Sequence, residues 1–181
     1  MNKVSINSAA EIIDGFLATE ECKHLISLAE QAGFADAPII SYGREVLARE
    51  VRNNLRVLID DSKLASELWV RVQPLLGIWV PGWKAVGLNE RFRFYRYEHD
   101  QMFSLHRDLP YETRNTRSFL SLIMYLNDDF EGGETEFEGF SVLPKVGRAA
   151  VFKHSLLHQG NAVKTGVKYA VRTDIMFCRC S

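Results

Sequence analysis

The sequence predicts a mainly β domain with flanking helices, a β-sandwich or jelly roll with the helices packed outside it. Two observations carry this reading. Two segments before residue 72 repeat their apolar residues at helical spacing, whereas from about residue 84 the period changes to two. The later half is also cut into short segments by glycine and proline turns, the punctuation of an antiparallel β fold.

The first helix lies in TEECKHLISLAEQAGF. Thr19 can cap it, Glu20 and Glu21 favour its positive end, and Gly33 can end it. Apolar residues at 22, 25, 26, 29 and 32 form one stripe. A second helix fits SKLASELWVRVQPLL, with Leu64, Leu68, Trp69 and Val72 facing inward and Pro74 near its end. Residues 36–60 read as loop plus strand, with NNLRVLID the best strand. RFRFYRY then alternates, Phe92 and Phe94 on one side and Arg93, Tyr95 and Tyr97 on the other. SFLSLIMYLN is apolar almost throughout, as a strand buried on both faces should be. EGGETEFEG carries a glycine turn before renewed alternation. A Pro-x-x-Gly turn precedes RAAVF, and VKYAVRTDIMF is the last strand.

The 181 residues fit one domain, 1–181, with a helix-rich supporting part over 1–83 and a jelly-roll core over 84–181. The net charge of −1 gives no polyelectrolyte signature, so neither nucleic acid nor an anionic membrane is an expected partner. The amino terminus lacks a signal-peptide core and no apolar run reaches membrane-span length, so a cytoplasmic location is expected. Cys22, Cys178 and Cys180 have no disulfide-framework spacing, and the terminal C-x-C lacks a second pair to complete a zinc tetrahedron.

FSLHRDLPY places His106 and Asp108 two residues apart, on one face of a strand if the strand is regular. Alone, such a pair is more often structural than metallic. His158, between two later strands, would complete two imidazoles and one carboxylate, which on iron(II) leave three open positions. Lys168 follows ten residues after His158. A bidentate 2-oxo acid in the open positions would bury a remote carboxylate that needs a cation, because an unpaired buried carboxylate is costly. Lys168 stands where that cation is required, and Tyr125 and Tyr97 are candidate hydroxyl donors. His154 could replace His158 only if the register slipped, and the spacing to Lys168 selects His158. His24 reads as a surface residue and His99–Asp100 as a loop pair.

With these residues in place, Tyr97 to Phe177 resembles the iron(II)/2-oxoglutarate dioxygenases of the prolyl 4-hydroxylase type. The resemblance rests on Tyr97 and Gln101 before the H-x-D, then MYLND, GGETEF, PKVGRAAVF, HQG and GVKYAVRTDIMF. It implies a double-stranded β-helix (a jelly-roll, cupin-like barrel) whose catalytic core is residues 84–181. It implies Fe(II) on His106, Asp108 and His158, and 2-oxoglutarate with its C5 carboxylate on Lys168. Tyr97, Tyr125 and Ser121 would line the cosubstrate pocket. O2 is the further cosubstrate, and ascorbate is admitted as a reductant. The implied reaction is C–H hydroxylation with conversion of 2-oxoglutarate to succinate and CO2. Related halogenases vacate the carboxylate position that Asp108 fills here. Family members commonly have glycine just after the Tyr97 position, where this chain has Glu98, His99 and Asp100.

For Arg172 three roles stay open: binding a substrate carboxylate, meeting the C1 carboxylate of 2-oxoglutarate, or pairing with Asp174. Tyr111, Arg114 and Arg117 follow the H-x-D, where such barrels often contact substrate, and are candidate substrate-binding residues. Arg107 reads as structural. The substrate could be a peptidyl residue, a free amino acid or another small molecule. Two rivals are a jelly-roll binding module without turnover and a zinc hydrolase using the same triad. Neither has a use for Lys168.

Overall fold

The computed structural model describes residues 1–180. A hairpin of β1 (Asn2–Asn7) and β2 (Ala10–Asp14) opens the chain, followed by α1 (Thr19–Ala32). Short strands β3 (Ala35–Asp36), β4 (Ile39–Ser41) and β5 (Arg44–Val46) lead to β6 (Leu55–Asp60) and α2 (Ser62–Val72). Next come β7 (Trp83–Leu88), β8 (Arg91–Tyr97), β9 (Phe103–His106) and β10 (Arg117–Tyr125). The short β11 (Glu131–Gly132), β12 (Thr135–Phe137) and β13 (Phe140–Val142) follow. Last are β14 (Ala149–Lys153), β15 (His158–Gly160), β16 (Val163–Thr165) and the long β17 (Lys168–Arg179).

The major sheet runs β1-β2-β14-β10-β17-β8-β6-β3, with β7 also paired to β17; the minor sheet runs β13-β12-β15-β9. The two sheets share a core, in which Tyr125, Ala150, Phe152 and Ala170 of the major sheet meet Phe137 and Val142 of the minor one. The opposite face of the major sheet is covered by the helices: Leu120, Leu122 and Met124 pack with Cys22, Leu25, Leu68 and Val72. Both faces of β10 are therefore buried, which is why its sequence is an apolar run rather than an alternation. No helix among the described residues is long and apolar enough to cross a membrane.

Both helices lie where the spacing predicts them, but Ala18, not Thr19, is the N-cap of α1. Alanine has no side-chain acceptor, so Glu21 bends back and its Oε2 takes the Ala18 N–H at 2.7 Å. Arg71 of α2 grips the same carboxylate through two bonds of 3.0 and 2.9 Å. Gly33 ends the helix with a φ of 84°. Residues 1–83 are more than helical support: β1, β2, β3 and β6 extend the major sheet on its two flanks. In β1 and β3 the side chains are exposed, those of Val4 and Ile6 in β1 included, as befits strands at the sheet edges.

The register of the central strands sets the interior. Lys168 lies opposite Tyr97, Ala170 opposite Tyr95 and Arg172 opposite Arg93, while Ser121, Ile123 and Tyr125 of β10 face Asp174, Arg172 and Ala170. With the two-residue side-chain period, these residues share the sheet face toward the minor sheet.

Candidate metal and cosubstrate site

His106 ends β9 and His158 begins β15, and the two are directly paired across these antiparallel strands. Asp108 lies past the end of β9, so regular strand alternation is not what aims it. It is turned inward by Ser121, whose Oγ donates to Asp108 Oδ2 at 2.5 Å, and by Arg172, whose Nη1 is 3.0 Å from Oδ1. One ligand atom from each of His106, Asp108 and His158 lies within 4.8 Å of the others. Asp108 is 3.8 Å from His106 Nε2 and 3.9 Å from His158 Nε2.

The imidazoles are already in the tautomer a metal needs. His106 Nδ1 is 2.8 Å from the Ser104 carbonyl and His158 Nδ1 is 3.0 Å from the Leu156 carbonyl. Each Nδ1–H donates to a backbone oxygen, leaving the Nε2 lone pairs aimed at Asp108. Burial, with His158 beside it, pushes His106 down to about 4, and burial also lowers His158. Burial alone would raise Asp108, but Arg172, His158 and Ser121 outweigh it and hold the carboxyl down at about 2. Two neutral imidazoles and one carboxylate is the donor set that open-sited iron(II) prefers, and these residues fit it.

A directional hydrogen-bond chain stands behind Asp108. Because Ser121 spends its one proton on Asp108, His154 Nδ1, 3.0 Å away, must be the donor to Ser121 Oγ. His154 Nε2 then accepts from Ser118 Oγ at 2.9 Å, and Ser118 accepts the Tyr111 N–H at 2.8 Å. Arg172 Nε gives Ser121 a further bond of 3.2 Å and its Nη2 reaches Asp174 at 2.8 Å, which Arg93 and Asn89 also hold. His154, the alternative ligand by sequence, thus supports the ligand carboxylate from behind.

Lys168 opens β17 on the floor of the cavity beside the triad, walled by Tyr97, Ile123, Thr135 and Phe152. It is 2% exposed, and its Nζ donates to the Gly133 carbonyl at 2.6 Å. Among the described residues no carboxylate lies within ion-pairing distance of it. Burial lowers its pKa to about 8. The Tyr97 and Tyr125 rings lie 4.9 and 5.7 Å from the ammonium. Tyr125 OH donates to Thr135 Oγ1 at 2.7 Å, aligning that hydroxyl at the cavity wall.

The structure brings His106, Asp108, His158, Lys168, Tyr97, Tyr125 and Arg172 together. Ser121 is brought to Asp108 rather than to the cavity wall. Arg172 pairs with Asp174, one of the three roles left open by the sequence, and also with Asp108. Tyr111, Arg114 and Arg117 are exposed and do not line the triad cavity. Tyr111 faces a separate groove beside α2, and Arg117 pairs with Glu112 and covers Phe119. Arg117 does share a second cleft with Arg107, Asp108 and His154, on the side away from Lys168. Thr135 and Arg52 were not singled out by the sequence. GGETEF holds a signal for Thr135, two residues before inward Phe137; Arg52 lies in an irregular segment with no periodic signal. In the segment after Tyr97, where the sequence carries Glu98, His99 and Asp100, Asp100 takes a left-handed turn with a φ of 60°.

Residues 92–173 match the family described as the 2OG-Fe(II) oxygenase superfamily. The chain is 27% identical over 92% of its length to probable prolyl 4-hydroxylase 8 of Arabidopsis thaliana, and 26% identical over 84% to prolyl 4-hydroxylase 2 of that plant. It spans 68 and 58% of their own lengths. Among solved structures, a prolyl hydroxylase from Trichoplax adhaerens, in complex with a hypoxia inducible factor oxygen degradation domain peptide fragment, superposes with a TM-score of 0.73. That match covers 93% of this chain and 84% of the other at 17% identity. The viral collagen prolyl hydroxylase from Paramecium Bursaria Chlorella virus-1, solved with 2OG, gives 0.65 over 94 and 96% at 22% identity. The fold is thus the double-stranded β-helix shared by these oxygenases.

Proposed function

We propose that the chain is a 2OG-Fe(II) oxygenase, the family whose model matches residues 92–173, and that it hydroxylates a C–H bond of an amino-acid unit, free or in a peptide. Prolyl residues are the first substrates to test, because the relatives it resembles are prolyl hydroxylases. The observation that carries the reading is Lys168: a buried ammonium with no carboxylate partner among the described residues, in the cavity that begins at the triad.

His106, Asp108 and His158 would hold Fe(II). Bound there with 2-oxoglutarate and O2, the iron supplies the oxidising chemistry of hydroxylation, the cosubstrate leaving as succinate and CO2. The residues do the rest. Lys168 neutralises the C5 carboxylate, and the Thr135 hydroxyl beside it offers a further hydrogen bond. Ser121 and Arg172 keep Asp108 anionic and in one orientation. Ile123, Phe152 and Phe103 wall the cavity against water.

Purified protein loaded anaerobically with Fe(II) and then given O2 should convert 2-oxoglutarate to succinate slowly without any prime substrate. Folded, iron-loaded protein that forms no succinate would remove the enzyme reading.

A further inference from the structure

Arginines crowd the mouth of the site. Arg52, Arg56, Arg93, Arg107 and Arg172 line it beside His106 and Asp108. Arg56 pairs with Glu45, Arg93 with Asp174, and Arg172 with Asp108 and Asp174. Arg107 is exposed and donates to the Ser155 carbonyl. Arg52 differs from all of them. It is only 6% exposed, no acid among the described residues pairs with it, and its Nη2 has no hydrogen-bond partner. Its Nε alone is bound, to Asn54 Oδ1 at 2.8 Å.

The guanidinium is held rigidly. Its carbon lies 4.3 Å from the Phe103 ring centroid and 4.9 Å from that of Tyr95, and Phe103 stacks on His106 with centroids 3.6 Å apart. The backbone is tied to the same strand: Arg52 bridges Phe103, and Ser104 N–H donates to the Val51 carbonyl at 2.8 Å. Arg52 is therefore one ring layer away from a metal-ligand imidazole. With aromatic rings beside it and Nε taken, its free bonding capacity lies along the Nη edge. That edge matches a carboxylate in two parallel hydrogen bonds. An unsatisfied cation in a largely buried place is costly, and a ligand carboxylate removes the cost.

We propose that Arg52 anchors a carboxylate of the prime substrate, so that the molecule hydroxylated is an acid: an amino acid held by its α-carboxylate or a peptide with an acidic residue beside the target. This rests on the oxygenase reading and names its substrate class.

The test uses the full chain and matched acid and amide probes: L-proline with L-prolinamide, and doubly blocked Glu-Pro-Gly with Gln-Pro-Gly. Binding is followed by calorimetry on the protein with Fe(II) and 2-oxoglutarate under anaerobic conditions, and stimulation of succinate formation is followed in air. At least one acid should bind about 10- to 100-fold more tightly than its amide. Which pair shows the preference tells a free amino acid from an acidic peptide. Arg52→Gln should abolish the preference, and Arg52→Lys should keep part of it, the charge remaining without the fork. Acid and amide binding equally, no acid binding at all, or full discrimination by folded Arg52→Gln would each overturn the proposal. If Arg52→Gln does not fold, the wild-type comparison still decides. Succinate formed without any probe reports the oxygenase reading alone, so loss of that reading and loss of this proposal are separate results.

Discussion

Lys168→Met should push stability and cosubstrate affinity in opposite directions. The ammonium is buried, and burial lowers its pKa from 10.5 to about 8. A lysine depressed in the fold is a cost wherever it is charged in both states. That cost is fully present below about pH 8 and fades as pH rises from there toward the unfolded value. The shift corresponds to about 3 kcal/mol. Methionine removes it and fills a similar volume, but strands the Gly133 carbonyl that Lys168 now satisfies, a loss of about 1–2 kcal/mol. The net at pH 7 is a metal-free variant more stable by about 1–2 kcal/mol, or about 3–6 °C in Tm for a domain of this size. For 2-oxoglutarate the same change deletes the buried cation proposed to hold its distal carboxylate. A loss of about 2–5 kcal/mol follows, which is at least a 30-fold weaker Kd. Thermal melts with and without 2-oxoglutarate and an anaerobic titration of the Fe(II) protein measure both. A variant that is less stable without ligand yet binds 2-oxoglutarate as before would refute the assignment of Lys168.

Three further outcomes are expected. Metal-free protein should lose stability as pH falls from about 6.5 to about 4, because buried His106 and His154, both near 4, stay neutral where the unfolded chain takes up protons. Each can contribute up to about 3 kcal/mol, so an unchanged urea midpoint between pH 7 and pH 4.5 would refute it. His154→Leu should weaken Fe(II) binding about 10- to 100-fold by freeing Ser121, with His154→Gln restoring part; a metal titration reads both, and equal affinity in the leucine variant removes His154 from the support of Asp108. Gly147→Ala should destabilise by more than about 2 kcal/mol in urea unfolding, since φ is +74° and the new Cβ would press on the Leu17 carbonyl. A loss below 0.5 kcal/mol would mean that this turn relaxes freely.

The later half of the chain was legible because its strands each obey one pattern. RFRFYRY separates Phe92 and Phe94, in the helix-side core, from Tyr95 and Tyr97 on the cavity side. The apolar run of β10 declared a strand covered on both faces, and Lys168 fell within the predicted last strand, whereas His158 was read as lying between strands and in fact opens the short β15. The hairpin of β1 and β2 was not legible: β1 is an exposed edge whose place depends on hydrogen bonds between β2 and β14, far along the chain. Asp108 was found by a spacing argument that does not apply, since the strand ends before it. Its aim comes from Ser121 and Arg172, tertiary contacts that local periodicity does not encode. Arg52 escaped for the same reason.

His106 and His158 face each other from strands of four and three residues, separated in the chain by β10 to β14. Such a pairing is costly in loop entropy and is stable only after the intervening strands have found their places. A divalent ion bound to both imidazoles is then a cross-link between β9 and β15, with no counterpart in the unfolded chain. Iron supply thereby becomes a determinant of how long the minor sheet survives. Metal-starved molecules should exchange the amides of β9 and β15 first and be the ones that proteolysis removes.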